Sequence, residues 1–175
     1  MIAVPRCLLA GAFAALIGTP AAADSPPTLL GAFTSWSAFQ STTSSGKVCY
    51  ALSQPKSHEP ASAKRDPIFF LISDWPARKT KGEPQIVPGY QYKPDSTVTA
   101  TIGSAKFEFF TKNDGGAGSA WVKDPDDEAR LIDAMKRGAQ VIVTGTSQRG
   151  TQTRDTYSLN GISAALDKIH TSCGM

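Results

Sequence analysis

The chain has 175 residues, 41% of them hydrophobic, with 18 Lys and Arg against 15 Asp and Glu. That length suits one unit with a buried core and excludes a multidomain machine. A formal charge of +3 is too balanced to point to nucleic acid as the partner.

The N-terminal stretch MIAVPRCLLAGAFAALIGTPAAA reads as a secretory signal, with Arg6, an apolar run from Cys7 to Ile17, and small residues before a cut after Ala23. A membrane anchor is the alternative. The apolar run is only about a dozen residues and is broken by Gly18, Thr19 and Pro20, whereas a spanning helix needs roughly 20. The expected organisation is therefore a cleaved signal over 1–23 and a single domain over 24–175. Removing Arg6 from the 18 basic residues leaves 17 against 15 acidic ones. No later stretch approaches membrane length, so the mature chain is expected to be soluble, without a transmembrane segment.

Strand patterns dominate the rest. Leu29, Leu30 and Phe33 lead into TSWSAFQ; STTSSG follows as a turn and KVCYALSQ resumes as the second arm of a hairpin. Pro55 to Asp66 reads as a loop, PIFFLIS as a central strand, and DWPARKTKGEP as another loop. Pro88 demotes the stretch after Glu83 to a broken or edge strand. STVTATIG and AKFEFFTK alternate as half-buried strands around a Gly103-Ser104 turn. Asn113-Asp114-Gly115-Gly116 signals a further hairpin, because these residues tolerate positive φ. AQVIVTGTS and TQTRDTYSL flank a turn at Gln148-Arg149-Gly150. Eight to ten strands without strand–helix alternation predict a mainly β, two-layer sandwich rather than a nucleotide-binding doubly wound sheet.

Two short surface helices interrupt this pattern. In DPDDEARLIDAMKRG, Asp124 is an N-cap and Pro125 the first helical residue; Asp126, Asp127 and Glu128 meet the positive end of the macrodipole, Lys136 and Arg137 the negative end. The second helix, from about Gly161 to Ser172, places Ile162, Ala165, Leu166, Ile169 and Cys173 on one face. An exported domain folds under oxidising conditions. Cys49 and Cys173 are then the candidate disulfide, with two free buried thiols as the alternative. The closed loop would stabilise the fold by roughly 4–5 kcal/mol at most.

Several of these residues carry a family resemblance. Trp36, Cys49-Tyr50 with Gln54, Asp66-Pro67-Ile68, Trp75-Pro76 and above all DTYSLNGISAALDKIHTSC, Asp155 to Cys173, make the chain similar to the invasion associated locus B family. This resemblance implies an immunoglobulin-like β-sandwich in the periplasm or outer envelope of an alphaproteobacterium, without known catalysis. The family is named for a protein that assists entry into host red cells. Where relatives carry another cysteine soon after the first tryptophan, this chain has Phe39-Gln40, so a relative's pairing is not carried over.

Candidate chemistry is sparse. His58 lies in a polar loop and His170 at a helix end, each read as solvated, and no zinc spacing is present. Helix capping accounts for Asp124, Asp126, Asp127 and Glu128, which lack an EF-hand pattern. NDGGAGS is followed by a strand rather than Gly-Lys-Ser/Thr and a helix, so it is a turn, not a phosphate loop. Asp155, Tyr157 and Ser158 read as turn and capping residues. No catalytic residue, metal or cofactor is expected. The loops from Lys56 to Lys81 hold Lys56, Lys64, Arg65, Arg78, Lys79 and Lys81 against Glu59, Asp66 and Asp74. A solvated rim is the simpler reading. If the charges converge on a polyanion, Trp75, Arg78, Lys79 and Lys81 are the binding residues.

Two functions fit. One is a non-catalytic envelope or secreted interaction protein whose partner is an envelope polymer or host-cell surface component and which contributes to host-cell association or invasion. The other is a periplasmic envelope-maintenance hydrolase or ligand carrier. A concave pocket with convergent polar groups and perturbed ionisation would favour the second.

Overall fold

The computed structural model describes residues 25–175; the expected signal and its cleavage point lie outside the described residues. Eleven strands form one antiparallel sheet that folds back on itself as a sandwich-like β structure. In chain order they are β1 Thr28–Phe33, β2 Trp36–Thr43, β3 Gly46–Ser53, β4 Ser57–Glu59, β5 Phe69–Trp75, β6 Thr80–Val87, β7 Thr97–Ile102, β8 Ala105–Asp114, β9 Ala117–Val122, β10 Gln140–Thr146 and β11 Gln152–Ser158. Helix α1, Pro125–Arg137, precedes β10, and α2, Ile162–Cys173, is the C-terminal element.

The hydrogen-bonded order is β1-β2-β3-β5-β6-β9-β8-β7-β10-β11-β4. β4 follows β3 after residues 54–56, yet it pairs with β11 at the far end of that order. Four Cα steps span at most about 14 Å, so the sheet must curl until its two ends nearly meet. Alternating residues then fill the inside. Phe70 on β5 meets Trp36 on β2, Phe109 on β8 and Tyr157 on β11 edge to face, with centroids 6.1, 6.4 and 5.6 Å apart. That geometry suits the ring quadrupoles. The Trp36 indole N–H donates to the Ser158 carbonyl at 2.9 Å, tying β2 to the end of β11.

Two segments expected as loop contain strands. β4 is three polar residues without apolar alternation, held by backbone pairing to Arg154–Thr156 and by Lys56 N–H donating to Thr156 O at 2.7 Å. β6 starts at Thr80 and tolerates Pro84 because its pairing with β9 is confined to Gln85 and Ile86. The Thr80–Pro84 stretch is thus an edge, where a missing N–H costs little.

Both helices form as their caps require. Asp124 accepts the Asp126 N–H at 3.0 Å, and α1 lies against β6, β8 and β9 with Leu131 and Met135 fully buried. α2 crosses β1, β2, β3 and β5 and buries Ile162, Ala165, Leu166, Ile169 and Cys173. It starts at Gly161, where φ is 93° and a Cβ would stand 1.9 Å from the Phe33 carbonyl oxygen. Only glycine fits there.

The end of α2 is clasped twice. Cys173 is bonded to Cys49 on β3, with Cα atoms 5.9 Å apart. One turn away, His170 Nδ1 lies 2.7 Å from Oδ2 of the fully buried Asp74, whose Oδ1 accepts the Gly82 N–H at 2.8 Å. His170 is therefore a partner of the β5 terminus rather than a solvated helix end.

The bridge spans 124 positions, and the chain-entropy argument assigns a loop of that size about 4–5 kcal/mol as an upper figure. The double replacement Cys49→Ala, Cys173→Ala should lower unfolding stability by a few kcal/mol, to at most about 5 kcal/mol, in urea denaturation. An unchanged midpoint would show that the covalent clasp contributes nothing beyond the packing of α2.

Candidate functional site

The inner face of β11 carries Thr153, Asp155 and Tyr157, all buried. A buried carboxylate requires a partner, and it comes from the segment between β4 and β5. Arg65 donates to Asp155 through both terminal nitrogens, Nη1 to Oδ1 at 2.6 Å and Nη2 to Oδ2 at 2.7 Å. The side chains are 3% and 2% exposed. Arg65 Nε donates to the Pro88 carbonyl at 2.8 Å, and the guanidinium lies 4.9 Å from the Tyr90 ring centroid. Planar, bidentate and stacked contacts at once are what arginine offers and lysine does not. Burial pulls the Arg65 guanidinium down, but hydrogen bonding and charge from Asp155 outweigh it, leaving a net upward displacement.

Three tyrosines surround the pair. Tyr90 Oη is 2.6 Å from Thr153 Oγ1, whose hydroxyl reaches the Gly145 carbonyl. Tyr92 packs edge to face on Tyr90, with centroids 5.3 Å apart. Tyr157 Oη is buried without a hydrogen-bond partner among the described residues. Burial raises all three phenols above their ordinary range. The negative charge of Asp155 adds to the rise, while Arg65 opposes it.

Above this network lies an open cleft of about 680 Å³. Its walls are the Ser62–Arg65 segment, Tyr90 with Gln91, and the β10–β11 turn from Ser147 to Thr151. Backbone bonds fix them to one another: Asp66 N–H to Gly89 O at 3.0 Å, Gln148 N–H to Gln91 O at 2.7 Å, and Lys93 N–H to Thr146 O at 2.9 Å. At Gly89, with φ of 72°, a Cβ would sit 2.1 Å from Asp66 O, so this approach also demands glycine. Lys64 and Arg149, from different segments, line the cleft, and no carboxylate does. Neither cation makes an ion pair among the described residues.

The four residues proposed from sequence for a polyanion lie elsewhere. Trp75 ends β5, and Arg78 sits in the 3-10 turn Pro76–Arg78 with its guanidinium 4.2 Å from the Trp75 ring centroid. Glu83 serves both, accepting from Trp75 Nε1 at 3.2 Å and Arg78 Nη2 at 3.4 Å. Arg78 is thus already countered; Lys79 and Lys81 are exposed beside it. Lys64 and Arg65 precede β5 and Arg78 follows it, so a seven-residue strand of roughly 20 Å separates the two groups. Arg65 is no rim charge, and Asp155 and Tyr157 are core residues rather than turn formers. Ser158 does serve the turn, its Oγ accepting the Asn160 N–H at 3.2 Å. Among the described residues no cluster of three His, Cys, Asp or Glu side chains could hold a metal ion, and no helix is long and apolar enough to cross a membrane.

Comparison with known proteins finds both a family and solved structures that match. The family model described as Invasion associated locus B (IalB) protein matches residues 36–170. Among solved structures, the chain is similar to the crystal structure of invasion associated protein B from Bartonella henselae, with a TM-score of 0.57 and 15% identity. The match covers 86% of this chain and 100% of that one. At that identity the likeness is one of fold. No curated protein matches by sequence.

Removing one partner of the buried pair leaves the other charge stranded, so Arg65→Ala should cost about 3–5 kcal/mol of unfolding stability, and Arg65→Met with Asp155→Leu clearly less. Equal losses would assign the effect to packing alone. The phenols predict an alkaline limit. The folded protein keeps these protons above pH 10 while the unfolded chain releases them near 10, so stability is full below about pH 10 and falls as pH rises past it. Absorbance titration should show the phenolates appearing together with unfolding; their ionisation near pH 10 in folded protein would contradict the burial assigned here.

Proposed function

The chain belongs to the invasion associated locus B family, and from that premise we propose that it is an exported, non-catalytic envelope or secreted interaction protein that contributes to host-cell association. The observation that carries this reading is the donor-rich cleft over the Arg65–Asp155 pair, with Lys64 and Arg149 left uncompensated on its walls. Export is supported by the Cys49–Cys173 bond, since such bonds persist outside the reducing cytoplasm.

The cleft also favours a ligand carrier as the second reading, over a hydrolase. Its perturbed groups move the wrong way for catalysis near neutrality: Tyr90 and the tyrosines beneath it are held protonated and Arg65 is held charged. A general base needs an ionisation near the working pH. Asp155 is engaged by both terminal nitrogens of Arg65, and both histidines lie outside the lining.

Cell fractionation with thiol counting separates these expectations from their opposites. The mature chain should appear in the periplasmic, outer-membrane or medium fraction, with its two cysteines alkylatable only after reduction. Recovery in the cytoplasm with two free thiols would overturn the export reading. Binding of the purified protein to host cells or envelope preparations should be saturable. Absence of retention on every such surface would overturn the interaction reading.

A further inference from the structure

The interaction reading leaves the ligand open, and the cleft narrows it. At about 680 Å³ the cleft falls within the 300–1,000 Å³ typical of ligand pockets. Its lining contains one aromatic ring, Tyr90, and no Val, Leu, Ile, Met, Phe or Trp side chain. Its apolar surface comes from Ala63, the Tyr90 ring and the carbon stems of long polar side chains, which form no aliphatic pocket shaped for a peptide side chain or an acyl group. What the lining offers instead is hydrogen bonding: the amides of Gln91 and Gln148, which make no side-chain bond among the described residues, and the hydroxyls of Ser62, Ser147 and Thr151. Amides and hydroxyls can each donate and accept, which matches vicinal hydroxyls that do both.

Charge supplies the second constraint. Lys64 stands on the segment before β5 and Arg149 on the β10–β11 turn, both exposed and without an ion pair among the described residues. Two further hollows differ in this respect: in one of about 450 Å³ on the outer face of β7, β10 and β11, Arg154 lies directly across from Glu59 in the strand register, and one of about 470 Å³ sets Lys106 and Lys123 among Glu108, Asp124 and Asp127. Of these three hollows among the described residues, the 680 Å³ cleft places cations on two walls with no acid among its lining residues.

We infer that this cleft, taken as the binding site of the interaction reading, holds a short stretch of anionic saccharide. Gln91 and Gln148 bind ring hydroxyls, and Lys64 and Arg149 bind carboxylate or sulfate groups. The walls are already fixed by the Asp66–Gly89, Gln91–Gln148 and Lys93–Thr146 backbone bonds. Ligand binding therefore orders little of the protein, which favours affinity from a modest contact area.

The test uses calorimetric titration of the disulfide-intact exported protein with four probes: an oligogalacturonate tetramer for carboxylates, a heparin-derived tetrasaccharide for sulfates, maltotetraose as the neutral sugar, and a poly-glutamate peptide as the anion without sugar. At least one anionic saccharide should bind at least about tenfold more tightly than maltotetraose and poly-glutamate. The anionic probe that binds identifies the source of charge. Lys64→Ala with Arg149→Ala, both exposed and expected to fold normally, should weaken that binding about tenfold and flatten its salt dependence. Gln148→Ala should weaken it without changing the salt dependence. No binding of either anionic saccharide, poly-glutamate binding as tightly, or unaltered affinity in the double variant would overturn the assignment. Retention on host cells or envelope preparations keeps the two proposals apart. If the double variant is retained as well as wild type, only the ligand assignment fails; if wild type is not retained at all, the interaction reading fails too.

Discussion

A charged pair sealed inside a small β structure is the constraint from which the site follows. Arg65 and Asp155 are almost wholly withdrawn from water, and desolvation on that scale is offset only when the geometry is close to ideal. The bidentate contact, the bond to the Pro88 carbonyl and the stack on Tyr90 meet that requirement together. Satisfying it brings the segment after β4 onto the inner face of β11 and draws the Pro88–Tyr90 stretch beside it. The cleft is the surface left between those segments and the β10–β11 turn.

β5 links this pair to the other end of the molecule. Arg65 stands shortly before its start, and Asp74 lies near its end, fully buried and bonded to His170 and Gly82. Next to Asp74, the Cys49–Cys173 bond closes α2 over β2 and β3. The division of labour is physical. The clasped end is covalent and covered by a helix, and it holds the curled sheet shut; the ionic end carries the loops and the open cleft, where a ligand can enter.

The parts of the fold that were readable had local causes. The α2 stripe followed helical spacing down to Cys173, the Asp124 cap and terminal charges marked α1, and the turn after Asn113 joined two alternating runs, β8 and β9. β4 was unreadable because three polar residues held by backbone bonds leave no side-chain pattern, and β6 was obscured by Pro84 on its unpaired edge. The site was harder still. Arg65 looked like one more loop cation, and its partner lies 90 residues away. A signal was present: Thr153, Asp155 and Tyr157 alternate in register with Val141 and Val143 across the β10–β11 pair, which directs Asp155 inward and obliges a counter-charge. Read that way, the strand called for a buried partner able to donate to a carboxylate, though not for Arg65 in particular. Among Trp75, Arg78, Lys79 and Lys81, Glu83 already occupies the most directional donors.

A binding role needs a cleft that exists before its ligand arrives, and here the walls depend on an ion pair rather than on a helix or a covalent bond. Site-resolved amide hydrogen exchange on the free protein measures that dependence most directly. The N–H groups of Asp66, Lys93 and Gln148 should exchange nearly as slowly as those of β5, and in Arg65→Ala they should speed up more than the amides of α2 do. Fast exchange at these three positions in the unmutated protein, or identical rates in the variant, would contradict a cleft preorganised by Arg65 and Asp155.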